Sequence, residues 1–205
     1  MGRKPNLKAR EHILDIACNL FHEKGFNGVS VDDVALAAGI KKPNLFHYFP
    51  SKQELGMAVF EYAAKAYKES VVLQFAEPGL DPIEAVSSLF SRTSDTMKLN
   101  NCSHGCFIGN LAQEMSDQNE RMRERLAEYF ATWTRQLAGL FDRAKASGYF
   151  NAEFDPESSA EAVVSIYEGA LLCCKARRQV SCLDSASAMV RKYLEGFRKP
   201  ALAIP

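Results

Sequence analysis

The sequence lacks any long hydrophobic run, although 47% of its 205 residues are hydrophobic. No stretch approaches the roughly 20 apolar residues that a membrane-spanning helix requires. The opening MGRKPNLKAR leads into an amphipathic segment instead of an apolar one, so it is unlike a secretory signal peptide. We therefore expect a cytoplasmic protein without membrane contact, whose six cysteines are thiols in a reducing compartment.

Motifs of the common enzyme classes are missing as well. There is no Gly-rich phosphate loop, no strand–turn–helix elbow and no pair of metal ligands on one predicted helix. We see no strand pattern, repeat or low-complexity run. We predict a protein that is not an enzyme and that uses neither a cofactor nor a metal. A cysteine-dependent enzyme stays open as an alternative, since a cysteine and a distant histidine can supply a nucleophile and a base.

Net charge is also absent, because 25 Lys and Arg balance 25 Asp and Glu. A neutral total argues against a generic nucleic-acid binder, but the distribution is uneven. Residues 1–10 hold four basic side chains and no acid, and residues 1–56 hold eight basic against six acidic side chains. A modestly basic end suits a salt-sensitive contact with phosphates. The alternative is an ordinary basic terminus.

The most informative stretch is VDDVALAAGIKKPNLFHYFPSK, residues 31–52. Ser30 and Asp33 form an acidic variant of the capping box and start one helix. Gly39 suits a tight turn that needs positive φ. Pro43 lies in the first turn of the next helix, where its missing N–H is tolerated. Helix, glycine turn and helix together predict a helix-turn-helix motif.

A helix-turn-helix over about residues 30–49 places the N-terminal residues of its second helix on base edges in the major groove. Leu45 and Phe49 are expected to face inward. Lys side chains suit guanine edges and Asn side chains suit adenine edges. The side chains left to point outward are Lys41, Lys42, Asn44, His47 and Tyr48. The alternative is a three-helix packing unit with a solvated basic corner, in a helical binding protein without DNA affinity.

The run from residue 25 to residue 59 resembles the DNA-binding domain of the TetR family of bacterial transcriptional repressors. Two residues depart from that pattern. Phe46 stands where the family usually has Tyr, which removes a hydroxyl that could contact a phosphate, and Pro43 replaces the commoner Gly. The features that carry the resemblance are Gly25-Phe26, Ser30-Val31, Ala35, Ala38-Gly39-Ile40, Leu45-Phe46-His47-Tyr48-Phe49 and Ser51-Lys52.

The resemblance implies a sequence-specific repressor that binds double-stranded operator DNA as a homodimer. Ser30, Lys52 and the basic N-terminal arm would contact phosphates, and the opening of the second helix would meet base edges. The DNA-binding residues that we predict on this basis are Arg3, Lys4, Ser30, Lys41, Lys42, Pro43, Asn44, His47, Tyr48 and Lys52.

The remainder of the chain is predicted to consist of further helices. Cap signals and apolar periodicity start helices after Ser51, near Ile83, near residue 106, at 116–117, at Asp155-Pro156 and at Asp184. The helix after Ser51 is expected to reach about Phe75. The fold class is therefore all-α. We predict a three-helix helix-turn-helix head at residues 1–50 and a C-terminal helical bundle at residues 51–205 for ligand sensing and dimerisation.

The last two helices are where we expect the partner subunit. Each carries more apolar residues than a single core-facing stripe requires, and Gly169-Ala170 would let two backbones approach closely. The TetR resemblance implies a dimer through these two helices. The alternative is that the additional apolar residues pack inward.

Release of such a repressor requires an effector with different affinity for the two states. We expect a small molecule to bind among the helices between residues 62 and 167. Candidate contacts are Phe107, Asn110, Gln113, Tyr129, Trp133 and Tyr167. For each aromatic residue alone, the alternative is that it fills the core.

Covalent modification of a cysteine is a second way in which an effector can act on the protein. Cys106 follows His104-Gly105 at the predicted start of a helix, where a helix N-terminus and a cation stabilise a thiolate. The segments HGCFIGNLAQE and GALLCCKARR resemble the branch of the family that contains the N-ethylmaleimide-reductase repressor. That resemblance implies that Cys106 senses electrophiles or oxidants beside Lys175. Our own hypothesis adds Cys102 as a resolving thiol.

Two other roles remain for this cysteine. Cys106 can be a small buried apolar residue, as most cysteines without a disulfide are. The series Cys102, His104 and Cys106 can also be read as metal ligands, although its spacing is not that of a structural zinc site.

Overall fold

The computed structural model describes residues 6–68, 75 and 79–200. Helices dominate this part of the chain and no β-sheet forms in it, so the predicted all-α class is confirmed. The helices are α1 Leu7–Lys24, α2 Val31–Ala37, α3 Lys42–Tyr48, α4 Lys52–Tyr67, α5 Pro82–Leu99, α6 Phe107–Met115, α7 Glu120–Ala146, α8 Pro156–Arg177 and α9 Ser181–Glu195.

Two predicted helix starts differ from those observed, and the predicted helix end at Phe75 depends on residues outside the described ranges. The helix predicted to start at 116–117 begins at Glu120. The helix predicted to reach Phe75 is described only to Tyr67, and residues 69–74 lie outside the described residues. Asp184 is not the N-cap of the last helix, because α9 already begins at Ser181. The Asp184 carboxylate instead accepts a hydrogen bond from the buried Ser94 hydroxyl at 3.1 Å, a contact across 90 residues.

The helices pack as two compact units. One unit comprises Met1–Ala66 and Phe107–Ala127, and the other comprises Tyr67–Cys106 and Glu128–Pro205. The first unit therefore contains α4 and α6 in addition to the three predicted head helices. Ion pairs of 2.8 Å between Arg121 and Glu54 and 2.7 Å between Arg125 and Glu61 join α7 to α4 within it. These contacts span more than 60 residues, which local sequence patterns do not register.

The helix-turn-helix forms as its local signals predict. Ser30 caps α2 in a complete capping box with Asp33. Gly25 and Gly39 have φ of 77° and 65°, a region that favours glycine. The predicted inward residues Leu45 and Phe49 are buried. They share the core of the first unit with Ile13, Phe21, Val29, Val34, Leu55 and Phe60.

The second unit is built on α5, α8 and α9, with the C-terminal part of α7. Asp81 and Asp155 cap α5 and α8 by accepting from two backbone N–H groups each. Its core includes stacked Phe150 and Phe154 rings, with centroids 4.0 Å apart. In the described part of the chain, no helix is long and apolar enough to cross a membrane.

Candidate DNA-binding surface and effector site

The opening of α3 is an exposed basic feature of the first unit. Lys41, Lys42, Pro43 and Asn44 are all exposed, while Leu45 behind them is fully buried. Lys41 occupies the N-cap position with an extended backbone. A short helix anchored from behind by Leu45 therefore presents two ammonium groups and an amide to solvent at its N-terminal end, as the sequence predicted.

Lys42 has an intramolecular partner on α2. Its Nζ lies 2.8 Å from Asp32 Oδ2, and both side chains are largely exposed. An exposed pair of this kind contributes only about 0–1 kcal/mol. It orders the lysine in the isolated chain but is weak enough to be exchanged for a phosphate or a base edge.

The C-terminal part of α3 carries an aromatic group. His47 is exposed and Tyr48 half-buried, and their rings meet edge to face with centroids 5.6 Å apart. Phe46, which takes the place of the family's usual Tyr, is 38% exposed. Arg10 was not among the predicted residues, yet its guanidinium lies 5.1 Å from the centroid of the Phe49 ring and so ties α1 to the end of α3.

The residues predicted to contact phosphates make different contacts within the protein. Lys52 Nζ lies 4.5 Å from the centroid of the Phe26 ring. Partial burial lowers the pKa of Lys52, opposed by the nearby charges of Glu114 and Asp33. The Ser30 hydroxyl accepts from the Asp33 N–H and donates to Asp33 Oδ2, so its first role is the cap of α2. Arg3 and Lys4 lie outside the described residues.

Glu114 of α6 is a residue that the sequence reasoning missed. Its carboxylate accepts from the backbone N–H groups of Phe26 at 3.2 Å and Asn27 at 2.9 Å, in the turn between α1 and α2. A Cβ on Gly25 would lie 2.7 Å from Glu114 Oε1, so a side chain at this position would displace the carboxylate. The acid and the turn are about 90 residues apart in sequence, which explains why no local pattern indicated the contact.

We expect Glu114→Ala to destabilise the first unit by about 1–3 kcal/mol, because two backbone donors lose their acceptor. Urea unfolding followed by circular dichroism measures the change. Glu124→Ala is the matched control, since Glu124 is an exposed acid in the same unit. Equal unfolding midpoints for the two variants would contradict this role of Glu114.

The predicted effector residues do not fall into one packing unit. Phe107 and Asn110 belong to the first unit, where the buried Phe107 ring meets His22 with centroids 5.5 Å apart. Gln113 is exposed and donates to the carbonyl of Gly109 on its own helix. The residues that come together in the second unit are Tyr129, Trp133, Tyr167 and Cys106.

Glu168 of α8 lies at the centre of that second group and was not predicted. Burial raises its pKa from 4.5 to about 7, although a hydrogen bond from the Cys106 thiol lowers it. Burial also raises the pKa of Tyr129 and of Tyr167. Glu168 is therefore partly protonated at neutral pH, and its position next to Cys106 could not be predicted from residues 62 positions apart.

Two buried polar atoms of this group have no hydrogen-bond partner among the described residues, namely Glu168 Oε1 and Trp133 Nε1. By contrast, the Tyr167 hydroxyl is 2.7 Å from Thr93 Oγ1. An unsatisfied buried polar atom costs about 1–3 kcal/mol, which a ligand with matching groups recovers. Glu168 also lines a groove of about 910 Å³ between α7 and α8, with Phe130, Thr134, Ala138, Val164 and Ser165.

The six cysteines form no disulfide bond. Cys106 is half-buried immediately before α6, and its observed neighbour Glu168 is an acid that the sequence did not suggest. Cys102 is buried and has a positive φ of 53°. Within the described ranges, no group of three His, Cys, Asp or Glu side chains is arranged to hold a metal ion, so the geometry gives no support to a site at Cys102, His104 and Cys106.

The last two helices expose apolar side chains. Leu172 of α8 is 48% exposed, and Met189 and Tyr193 of α9 are 50% and 40% exposed. A Cβ added to Gly169, one helical turn before Leu172, would meet no atom within 4 Å. The inward-facing residues of the same helices, such as Leu171 and Leu194, are already buried. An apolar surface therefore remains exposed on α8 and α9, and the space next to Gly169 within this surface is empty.

A helix-turn-helix with a basic, exposed second helix, in a chain that also contains a second helical unit, is the organisation of a DNA-binding transcription regulator. Two family models match the chain. "Bacterial regulatory proteins, tetR family" matches residues 13–59, and "Tetracyclin repressor-like, C-terminal domain" matches residues 82–190. The chain belongs to the tetR family, whose members are DNA-binding regulators and not enzymes.

Individual relatives agree with that assignment. The transcriptional regulator AcuR of Cereibacter sphaeroides is 33% identical over 153 residues, which cover 75% of this chain and 70% of AcuR. The transcriptional repressor NemR of Escherichia coli is 25% identical over 200 residues, covering 95% and 98% of the two chains. The match to NemR confirms the resemblance predicted for the N-ethylmaleimide-reductase repressor branch.

Solved structures share the fold. The regulatory protein TetR from Rhodobacter sphaeroides has a TM-score of 0.81 at 30% identity, covering 90% of this chain and 98% of that one. The reduced form of E. coli NemR also has a TM-score of 0.81, at 22% identity, covering 96% of this chain and 100% of that one.

Proposed function

We propose that this chain is a cytoplasmic repressor that binds its operator as a homodimer and is released by an effector at the Cys106–Glu168 group. The observation that carries the DNA-binding part is the exposed opening of α3, supported from behind by the buried Leu45. One such helix covers too little DNA for tight binding. A two-fold dimer reads two half-sites about one helical turn, ~34–36 Å, apart.

The proposed DNA contacts divide into two kinds. Asn44 and the lysines at 41 and 42 read base edges, while Lys52 and the N-terminal arm hold phosphates. We expect Asn44→Ala to relax sequence preference by about 1–3 kcal/mol at one base position.

We expect Lys52→Ala to weaken binding to every sequence and to reduce the salt dependence by about one phosphate contact.

Mobility-shift titrations on operator and random DNA separate these two effects. The operator is obtained first by selecting bound fragments from the genome of the source organism. Exposed Lys98 lies in the second unit, so Lys98→Ala is the matched control for removal of one positive charge. Equal losses on operator and random DNA for both Asn44→Ala and Lys52→Ala would contradict the division.

For the dimer we propose the apolar surface of Leu172, Met189 and Tyr193, with Gly169 as the point of close approach. Three observations support this surface: the exposure of the three side chains, the open space at Gly169, and the burial of the opposite faces of α8 and α9. A second copy of the chain would bury the same residues by symmetry, since two-fold interfaces are self-complementary.

For the effector we propose a ligand or electrophile that reaches Glu168 and Cys106. The unsatisfied Glu168 Oε1 and Trp133 Nε1 support a ligand with polar groups of its own. Because Cys106 hydrogen-bonds to Glu168, the carboxylate can take the thiol proton while the sulfur attacks an electrophilic carbon. A base with a pKa near 7 suits this transfer at neutral pH.

N-ethylmaleimide is the probe for this mechanism. We expect it to release DNA from the wild-type protein but not from Cys106→Ser, and we expect Glu168→Gln to slow alkylation of Cys106 about 100-fold. Cys173→Ser is the control, because Cys173 is an exposed thiol elsewhere in the same unit. Release from Cys106→Ser at the wild-type rate would refute the role of Cys106, because another thiol would then be the target of the probe.

A further inference from the structure

An acidic side chain lies beside the basic opening of α3. Asp32 is in the first turn of α2, and its carboxylate oxygen Oδ2 is 2.8 Å from the Lys42 ammonium of α3. The pair crosses the glycine turn of the helix-turn-helix and joins residues ten positions apart. Because Lys42 belongs to the exposed opening of α3, Asp32 also lies on the surface that is proposed to face DNA.

The neighbouring acid has a different task. The Asp33 carboxylate accepts from the backbone N–H of Ser30 at 2.7 Å and from the Ser30 hydroxyl at 2.6 Å, and so completes the capping box of α2. The Asp32 carboxylate is directed to Lys42 instead. The cap and the ion pair are therefore separate features, and a substitution of Asp32 leaves both residues of the capping box in place.

The ion pair is a minor source of stability. The side chains of Lys42 and Asp32 are 48% and 66% exposed, and ion pairs with this exposure are weak because water and salt screen the charges. A carboxylate is also repelled by the phosphates of a duplex, so Asp32 reduces the general attraction of this surface for DNA. Asp32 therefore affects the binding of DNA more than it affects the fold.

We propose that Asp32 is a specificity-determining residue that acts through Lys42, by disfavouring its contact with phosphates and directing it to a base edge. A lysine ammonium has three N–H donors, and Asp32 accepts from one of them. A base edge can accept from the remaining donors while the pair stays intact. A phosphate that displaces Asp32 leaves the carboxylate unpaired beside the DNA backbone. This role rests on the reading of base edges by α3 that is proposed above.

The Asp32→Asn substitution tests this role, because it removes the charge and keeps the size of the side chain. We expect binding to random DNA to tighten about fivefold, and its salt dependence to steepen by about one phosphate contact, because Lys42 is released to the backbone. Affinity for the operator should not rise with it, so the ratio of operator to random affinity should fall about fivefold. Mobility-shift titrations at several salt concentrations measure both quantities.

Three further variants make the result specific. Asp95→Asn is the matched control, because Asp95 forms an exposed ion pair of 3.3 Å with Lys98 in the second unit, and it should leave the ratio and the salt dependence unchanged. Asp32→Glu keeps the charge and should retain most of the ratio. In a Lys42→Ala background, the Asp32→Asn substitution should no longer change the ratio, since the two residues act as a pair.

The proposal is overturned if Asp32→Asn leaves the ratio and the salt dependence unchanged, or if it acts equally with and without Lys42. Equal tightening on operator and random DNA would also overturn it, since that result indicates general repulsion of phosphates. Damage to α2 would weaken binding to both DNAs, which is opposite in sign to the expected tightening on random DNA and contradicts the proposal as well.

Failure of the underlying function gives a different result. A wild-type protein without preference for its selected operator, or a preference that survives replacement of Lys41, Lys42 and Asn44 by alanine, would contradict the reading of DNA by α3 itself. A wild-type preference that depends on α3 but is unchanged in Asp32→Asn would overturn only the role of Asp32.

Discussion

Leu172→Arg is expected to convert the dimer into a monomer and to weaken operator binding by about 100-fold or more. The charged side chain would be buried unpaired at the proposed interface, and a monomer loses the gain from two linked half-site contacts. Leu172 is 48% exposed within one chain, so the monomer itself should change stability by only about 0.5 kcal/mol or less. Light scattering coupled to size exclusion gives the mass, and a mobility-shift titration gives the affinity.

Leu99→Arg is the control for this experiment. Leu99 is 88% exposed at the end of α5, away from α8 and α9 in sequence, and the same substitution there should leave both mass and affinity unchanged. A Leu172→Arg protein that remains a dimer with wild-type affinity would place the subunit interface elsewhere.

Glu168→Gln is expected to stabilise the protein at high pH by about 3 kcal/mol. The folded-state pKa of Glu168 is about 7 against an ordinary value of 4.5, so the folded chain holds this proton more tightly than the unfolded chain. The stability due to the protonated acid is therefore complete below pH 4.5 and is lost as the pH rises through 7. A glutamine stays neutral at every pH and avoids that loss.

Urea unfolding at pH 4.5 and pH 8 measures the effect. We expect the two proteins to be about equally stable at the lower pH and to differ by the full amount at the higher one. Glu161→Gln is the control, because Glu161 is exposed on the same helix. Parallel stability curves for wild type and Glu168→Gln would show that the carboxyl group titrates normally.

Local sequence signals were sufficient to predict the first three helices and the turn between α2 and α3. The Ser30–Asp33 capping box, the positive φ at Gly39 and the proline in the first turn of α3 depend on residues within a few positions of one another. The same holds for the cap at Asp155, where the N-cap and the proline are adjacent. Asp184 shows the limit of such signals, since a suitable capping residue is not a cap when the helix begins three residues earlier.

The candidate sites were predicted in part. The outward residues of α3 follow from helical periodicity once the buried Leu45 is assigned. Asp32, the partner of Lys42, does not follow from periodicity because it lies on another helix. The contacts of Phe26 with Lys52 and of Glu114 with the α1–α2 turn also depend on tertiary packing. Likewise, nothing near Cys106 in the sequence indicates Glu168.

A hydroxyl-radical footprint on a selected genomic fragment tests the central claim most directly. We predict two protected half-sites on one side of the duplex, with centres about one helical turn or a multiple of it apart. Replacement of Lys41, Lys42 and Asn44 by alanine should abolish that protection. A footprint that these replacements leave unchanged, or protection without the spacing of a two-fold pair, would contradict the assignment of α3 as the helix that reads the operator.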